Sequence, residues 1–225
     1  MMKKRVLTIV VASALGVLAT PASAQFGKLI GGIGGGSNSP AASADPQAFI
    51  KSALAAEKLM NNSVALLAAS LSSKEKAAEF EAQRKAANTI TDAAEKHAKL
   101  TELRKSEAAA VNEAVNNANT EANIKKMDGQ QRETMAAASF NFMLALLQDK
   151  ALLEQGQGLV SSLSSNPMNI SKLGGIKDAI SSLTNQVSAV SSIASKMPAV
   201  ISAVGVKAPT SKDEKPKVSA EVVGE

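Results

Sequence analysis

Residues 74–127 read KEKAAEFEAQRKAANTITDAAEKHAKLTELRKSEAAAVNEAVNNANTEANIKKM, a stretch with neither proline nor glycine. Glu81/Lys85, Asp92/Lys96, Glu95/Lys99 and Glu121/Lys125 are acid-first pairs four residues apart. Such pairs share a helix face and run with the helix dipole. Unbroken, a helix of about 54 residues would extend roughly 80 Å at 1.5 Å per residue. Its seam reads Ala87, Ile90, Ala94 and Ala98, then Leu100 and Leu103, then Ala110, Val111, Ala114, Val115 and Ala118. Alanine on a seam lets a neighbouring helix come close, so extended packing replaces bulky burial. Asn112, Asn116, Asn117, Asn119 and Asn123 read first as a solvated face, and otherwise as a weak point of the stretch or a partner face. Whether one helix crosses that point is left open by the sequence.

Helical patterns continue on both sides. Asp45 and Pro46 supply an N-cap and a first-turn proline, and Phe49, Ile50, Leu54, Met60, Val64, Leu67 and Leu71 follow at helical spacing. Ser72-Ser73-Lys74-Glu75 matches a capping box and predicts a chain reversal. Downstream, Asp128-Gly129 stops the long stretch, and Asp128 with Gln131 caps the next helix. That helix holds the most apolar window of the exported part of the chain, with Phe140, Phe142, Met143, Leu144, Leu146 and Leu147. At about 13 residues, the window suits core burial or an interface better than a membrane span, which needs roughly 20. Gly156 and Gly158 loosen the helix before Asn166-Pro167 ends it.

The last helix has the most regular pattern. Leu173, Ile176, Ile180, Leu183, Val187, Val190, Ala194, Met197, Ile201 and Val204 alternate steps of three and four, a bundle or coiled-coil seam. Serine-rich flanks carry few charges, so ion pairs do not set its partner; Pro198 kinks or ends it. The expected architecture is all-α: an elongated antiparallel helical bundle of about four helices, one very long, over residues 46–205. Residues 206–225, with Pro209, Pro216 and balanced charges, read as a mobile charged tail.

The N-terminus carries an address. Met1-Met2-Lys3-Lys4-Arg5 is basic, Val6 to Ala19 is an apolar run of about 14 residues, and Ala22-Ser23-Ala24 is a small-residue cleavage site. Residues 1–24 therefore read as a signal peptide cut between Ala24 and Gln25, which directs the chain to the periplasm or outside the cell. Cleavage removes three basic residues and no acidic one, so the net charge falls from +5 to about +2. The basic pI belongs partly to the signal and does not argue for nucleic acid. Residues 25–45 read as a Gly/Ser-rich linker. Within it, Phe26, Leu29, Ile30 and Ile33 form a short candidate membrane-contact turn, joined by Phe140, Phe142 and Leu146 from the apolar window.

Composition excludes much chemistry. With no cysteine there is no disulfide, thiolate ligand or lipid-anchored cysteine, and no tryptophan or tyrosine adds bulk. His97 is the sole histidine, too few for a Cys/His metal site or a Ser-His-Asp arrangement. Methionines are scattered at apolar positions, and the Gly31 to Gly36 run lacks the Lys-Ser/Thr of a phosphate loop. No enzyme activity, cofactor or metal is expected.

The leading expectation is a structural or interaction protein of the envelope that packs its helix seams internally, with other copies or with another envelope protein. Leu173, Ile176, Ile180, Leu183, Val187, Val190 and Met197 are the candidate seam. In combining long exported helices with a concealed apolar segment, the chain resembles components of α-helical pore-forming toxins, which implies membrane contact through the residues named above. In length and secretion it resembles periplasmic holdase chaperones, and in composition exported alanine-rich proteins of Gram-negative bacteria.

Overall fold

A computed structural model describes residues 45–165 and 170–217. All regular elements among them are α-helical: α1 (Pro46–Leu71), α2 (Lys74–Thr89), α3 (Ala93–Asn116), α4 (Thr120–Lys125), α5 (Gly129–Ser164) and α6 (Ile170–Val204). The all-α bundle expected from periodicity is present. The signal peptide, its cleavage site and Phe26, Leu29, Ile30 and Ile33 lie outside the described residues.

Two apolar clusters reveal how the long helices run. Phe49, Ala53 and Ala56 of α1 meet Leu152 and Leu159 of α5 and Ile176 and Leu183 of α6. At the other end, Met60 to Ala68 of α1 meet Met135 to Leu146 of α5 and Val190 to Val204 of α6. Hence α5 is antiparallel to both α1 and α6. α3 and α4 complete the second cluster with Leu103, Val111, Val115 and Ile124. α2 makes its principal contacts with α1 and α3.

The 74–127 stretch is three helices, not one very long one, and the longest helix among the described residues is instead α5 with 36 residues. Polar side chains make the breaks without glycine or proline. Ile90 leaves the helix with φ −70° and ψ 126°, and Asp92 caps α3 by accepting from the Glu95 amide at 2.8 Å. At the second break Asn117 is extended, its Oδ1 accepts from the Asn119 amide, and the Thr120 hydroxyl donates to the carbonyls of Ala114 and Asn117. Local side-chain bonds of this kind compete with the helical ladder. Folding back buries Leu100, Leu103, Val111, Val115 and Ile124, which an 80 Å rod would leave wet. Ala94, Ala98 and Ala118 of the expected seam are exposed.

Other boundaries moved by small amounts. Ser73, not Ser72, caps α2, by accepting from the Lys76 amide, while Ser72 closes α1. The Asp128/Gln131 capping box is complete in both directions. Pro198 lies inside α6, which continues to Val204. There Gly205, with φ 79°, ends it, and the Gly205 and Val206 amides donate to the Ile201 carbonyl. Leu54, placed by spacing on the apolar stripe of α1, is 61% exposed.

Gly156 does not loosen α5 but allows three helices to meet. A Cβ there would lie 2.8 Å from Cζ of the buried Phe49 and 2.7 Å from Cγ1 of Ile180, whereas Gly158 has open space. Gly156→Val is expected to destabilise the protein by about 1–3 kcal/mol through overpacking. Gly158→Ala should stabilise it by about 1 kcal/mol through helix propensity. Urea denaturation of both variants checks the pair, and equal effects would refute the close approach.

Candidate functional site

The structure turns the expected seam of α6 inward. Leu173, Ile176, Leu183, Val190 and Met197 are buried, and Ile180 and Val187 half-buried, against the protein's own helices. Ile193 and Val200, outside the three-four series, are buried too, so the stripe is centred slightly to one side of it. Phe140, Phe142 and Leu146, the described candidates for membrane contact, are likewise buried, Phe142 and Leu146 in the cluster shared with α1 and α6 and Phe140 beneath Lys217 of the tail. Burial against Ala-rich neighbours leaves none of them facing solvent in this fold.

Between the two apolar clusters lies a polar belt. Asp149 continues the inward stripe of α5 formed by Phe142, Ala145, Leu152, Gly156 and Leu159, and is 0% exposed. Its Oδ2 accepts from Gln186 Nε2 of α6 at 2.7 Å, while Oδ1 has no hydrogen-bond partner among the described residues. Glu57 of α1 accepts from the Ser182 hydroxyl of α6 at 3.1 Å and lies 3.8 Å from Arg104 of α3. Side chains of four helices thus meet at one level, and among them Asp149 is the buried one. Asp149 penalises sliding of α5 against α6, because a shifted register would leave its buried carboxyl opposite hydrocarbon.

Burial pushes the Asp149 carboxyl up to about 7; the Gln186 bond lowers it, and the nearby Glu57 charge raises it further. Its unfolded counterpart releases the proton near 3.8. The folded protein therefore binds this proton more tightly, and stability falls as pH rises from about 4 through about 7. At about 1.4 kcal/mol per unit, the full loss is on the order of 4 kcal/mol. Asp149→Asn is expected to remove most of that decline, leaving the variant more stable than the parent at pH 8. Thermal or urea unfolding at pH 4.5, 6 and 8 tests this, and parallel profiles for the two proteins would refute it.

A second ion pair stiffens the α2–α3 hairpin. Arg84 Nη2 lies 2.6 Å from Glu107 Oε1, and both side chains are buried beside Phe80, Ala87 and Leu103 on these helices. Phe80 also carries Lys76 over its ring at 5.0 Å. Around the buried pair the hairpin is open. Gln83, Ala86, Ala87 and Ile90 face Lys99, Glu102, Leu103, Lys105 and Ser106 across a groove of about 690 Å³. The hairpin tip, Thr91 to Glu95, is exposed. Glu107→Ala leaves the Arg84 guanidinium buried without its carboxylate, at an expected cost of about 3–5 kcal/mol. Hydrogen exchange should rise throughout α2 and the first half of α3 before it rises in α5, and uniform acceleration would contradict a locally held hairpin.

The tail is docked over its first half. Pro209 is buried, Gln148 Nε2 of α5 donates to the Lys212 carbonyl at 3.1 Å, and Asn141 pairs with the Lys217 main chain in both directions. The mobile tail expected from residue 206 is thus held as far as Lys217, because two buried amides on α5 need main-chain partners. A cavity of about 320 Å³ lies beside the strap, between Ser52, Gln148, Leu152, Glu154 and Lys212. Neither the belt nor the docked tail was anticipated from the sequence. In the sequence Asp149 stands with Gln148 and Lys150 as the polar flank of the apolar window. Its place in the three-four stripe with Phe142, Ala145 and Leu152 was the available signal.

His97 is exposed on α3. Among the described residues no three His, Cys, Asp or Glu side chains are grouped as a metal site. No protein-family model matches the chain, and none of the curated proteins or solved structures does. The functional reading rests on the chain's own residues.

Proposed function

We propose that this chain is an exported, non-enzymatic helical-bundle protein of the bacterial envelope that acts by contact, with the α2–α3 hairpin as its contact arm. The observation that carries the reading is the hairpin itself. α2 has 16 residues, of which Phe80, Arg84 and Ala87 are buried, yet a buried ion pair holds it rigidly against α3. A stiff element with an open groove offers a partner surface without an ordering cost. Export rests on the basic start, apolar run and Ala22-Ser23-Ala24 site at the N-terminus. The periplasm or the extracellular space is then the working compartment, and another copy or another envelope protein is the class of partner.

A membrane-active role is the second reading, favoured by one observation. Leu173–Val204 of α6 is long and apolar enough to cross a membrane by length and composition, with mean hydropathy 1.4. Its apolar stripe packs inward and its outward face is rich in serine, so insertion requires α6 to leave α1 and α5. Loss of the belt contacts to Asp149 and Glu57 would accompany that release.

Two measurements separate the readings. Expressed in a Gram-negative host, the chain should be recovered outside the cytoplasm with Gln25 as its first residue; an unprocessed cytoplasmic product would refute export. The purified protein, residues 25–225, should leave dye inside vesicles of phosphatidylethanolamine and phosphatidylglycerol. Leakage that scales with protein would replace contact by membrane activity, and a disulfide tethering α6 to α5 would then abolish it.

A further inference from the structure

We propose that the face of α5 presenting Asn141 and Gln148 is a seat for a turn-containing, lysine-bearing segment of another polypeptide, and that residues 206–217 fill it in cis as an internal stand-in. This deepens the contact reading above by naming a partner chemistry and a second surface.

The seat is built from buried amides. Asn141 is 2% exposed; its Nδ2 donates to the Lys217 carbonyl at 3.0 Å and its Oδ1 accepts from the Lys217 amide at 2.8 Å. That two-way exchange is what a neighbouring strand offers an extended residue. About two helical turns further along α5, Gln148, 5% exposed, donates to the Lys212 carbonyl. All three bonds go to main-chain atoms, so any segment that repeats the turn at residues 212–214 between these anchors satisfies them. Both amides stand on one helix, which fixes their spacing and lowers the ordering cost for an incoming chain.

One contact reads side-chain identity. Lys217 Nζ lies 4.6 Å from the centre of the Phe140 ring, one residue before Asn141 on α5. An ammonium over a ring face is attracted by its quadrupole, whereas a carboxylate is repelled. The seat therefore favours lysine at the residue that pairs with Asn141.

The stand-in is a separate module. Glu214 accepts from the Thr210 and Ser211 amides, which closes a turn around the Lys212 anchor and holds its carboxyl below the usual range. Gly205 provides the joint with α6. Neither apolar cluster includes a residue beyond Val206, so lifting residues 207–217 uncovers Pro209 and Phe140 and removes no member of either cluster.

The test uses the purified protein, residues 25–225, and a fluorescein-labelled peptide of residues 207–217, KAPTSKDEKPK. Lys217→Pro removes the amide and the ammonium that hold the strap. Anisotropy should show the peptide binding this variant about tenfold or more tightly than the parent, because a tethered competitor acts at millimolar effective concentration. Adding Asn141→Ala should abolish the gain, and a peptide ending in glutamate should bind neither protein. Lys217→Glu in the protein, which retains the amide, should give an intermediate gain. Circular dichroism should stay unchanged throughout. Equal affinity for parent and Lys217→Pro, or binding that survives Asn141→Ala, would overturn the proposal. Exchange dimers of the parent without peptide binding would overturn it too, and would give the seat to a second copy's tail. The peptide assay does not depend on export or on the hairpin, so it can fail while the contact reading stands.

Discussion

Contact between α1 and α5, closed by α6, carries the rest of the molecule. The chain has no cysteine, tryptophan or tyrosine, so nothing but small and aliphatic side chains, with a few phenylalanines, removes area from water. Each alanine contributes little, and the compensation is length: α5 alone runs 36 residues. Close approach makes that length effective, and at Gly156 the helices come within a distance that even one added carbon would violate. Elongation, apolar clusters at both ends and tolerance of so few aromatics all follow from this constraint.

A bundle of repetitive seams has a difficulty that better-differentiated cores lack. Leucine, valine and alanine stripes fit one another in several registers, and hydrocarbon alone distinguishes them weakly. The belt of Glu57, Arg104, Asp149, Ser182 and Gln186 sits where the two apolar clusters meet and matches one alignment of four helices. It does so at a cost to stability, since Asp149 is buried with one oxygen unpartnered. The tail amides, Asn141 and Gln148, are the same device turned outward. They demand main-chain partners, and the strap supplies them.

Much of this was legible in advance. Helix-forming character, the start of α1 at Asp45-Pro46, the Asp128/Gln131 box and the apolar seam of α6 followed from local chemistry and spacing. The breaks within 74–127 were written there too, as Asp92 followed by Glu95 and as the asparagines near Asn117, but such residues also sit on solvated helix faces. A break is worth its lost ladder bonds only when folding back buries Leu103, Val111 and Ile124, a gain that depends on partners distant in sequence. Asp149 was hidden for a related reason: beside Gln148 and Lys150 it looks like a polar boundary, and only the rotation of α5 shows that it points inward.

By itself the sequence determined the helical class, the apolar stripes, the caps and, from residues 1–24, the expectation of export. These depend on residue type and on neighbours within a few positions, where helix geometry leaves little freedom. Tertiary structure decided where the long stretch bends, that α6 packs its seam at home, that Phe140, Phe142 and Leu146 are core, and that the tail docks as far as Lys217. Each of these is a choice between water and a distant partner, and its free energy exists only once α1, α5 and α6 have met.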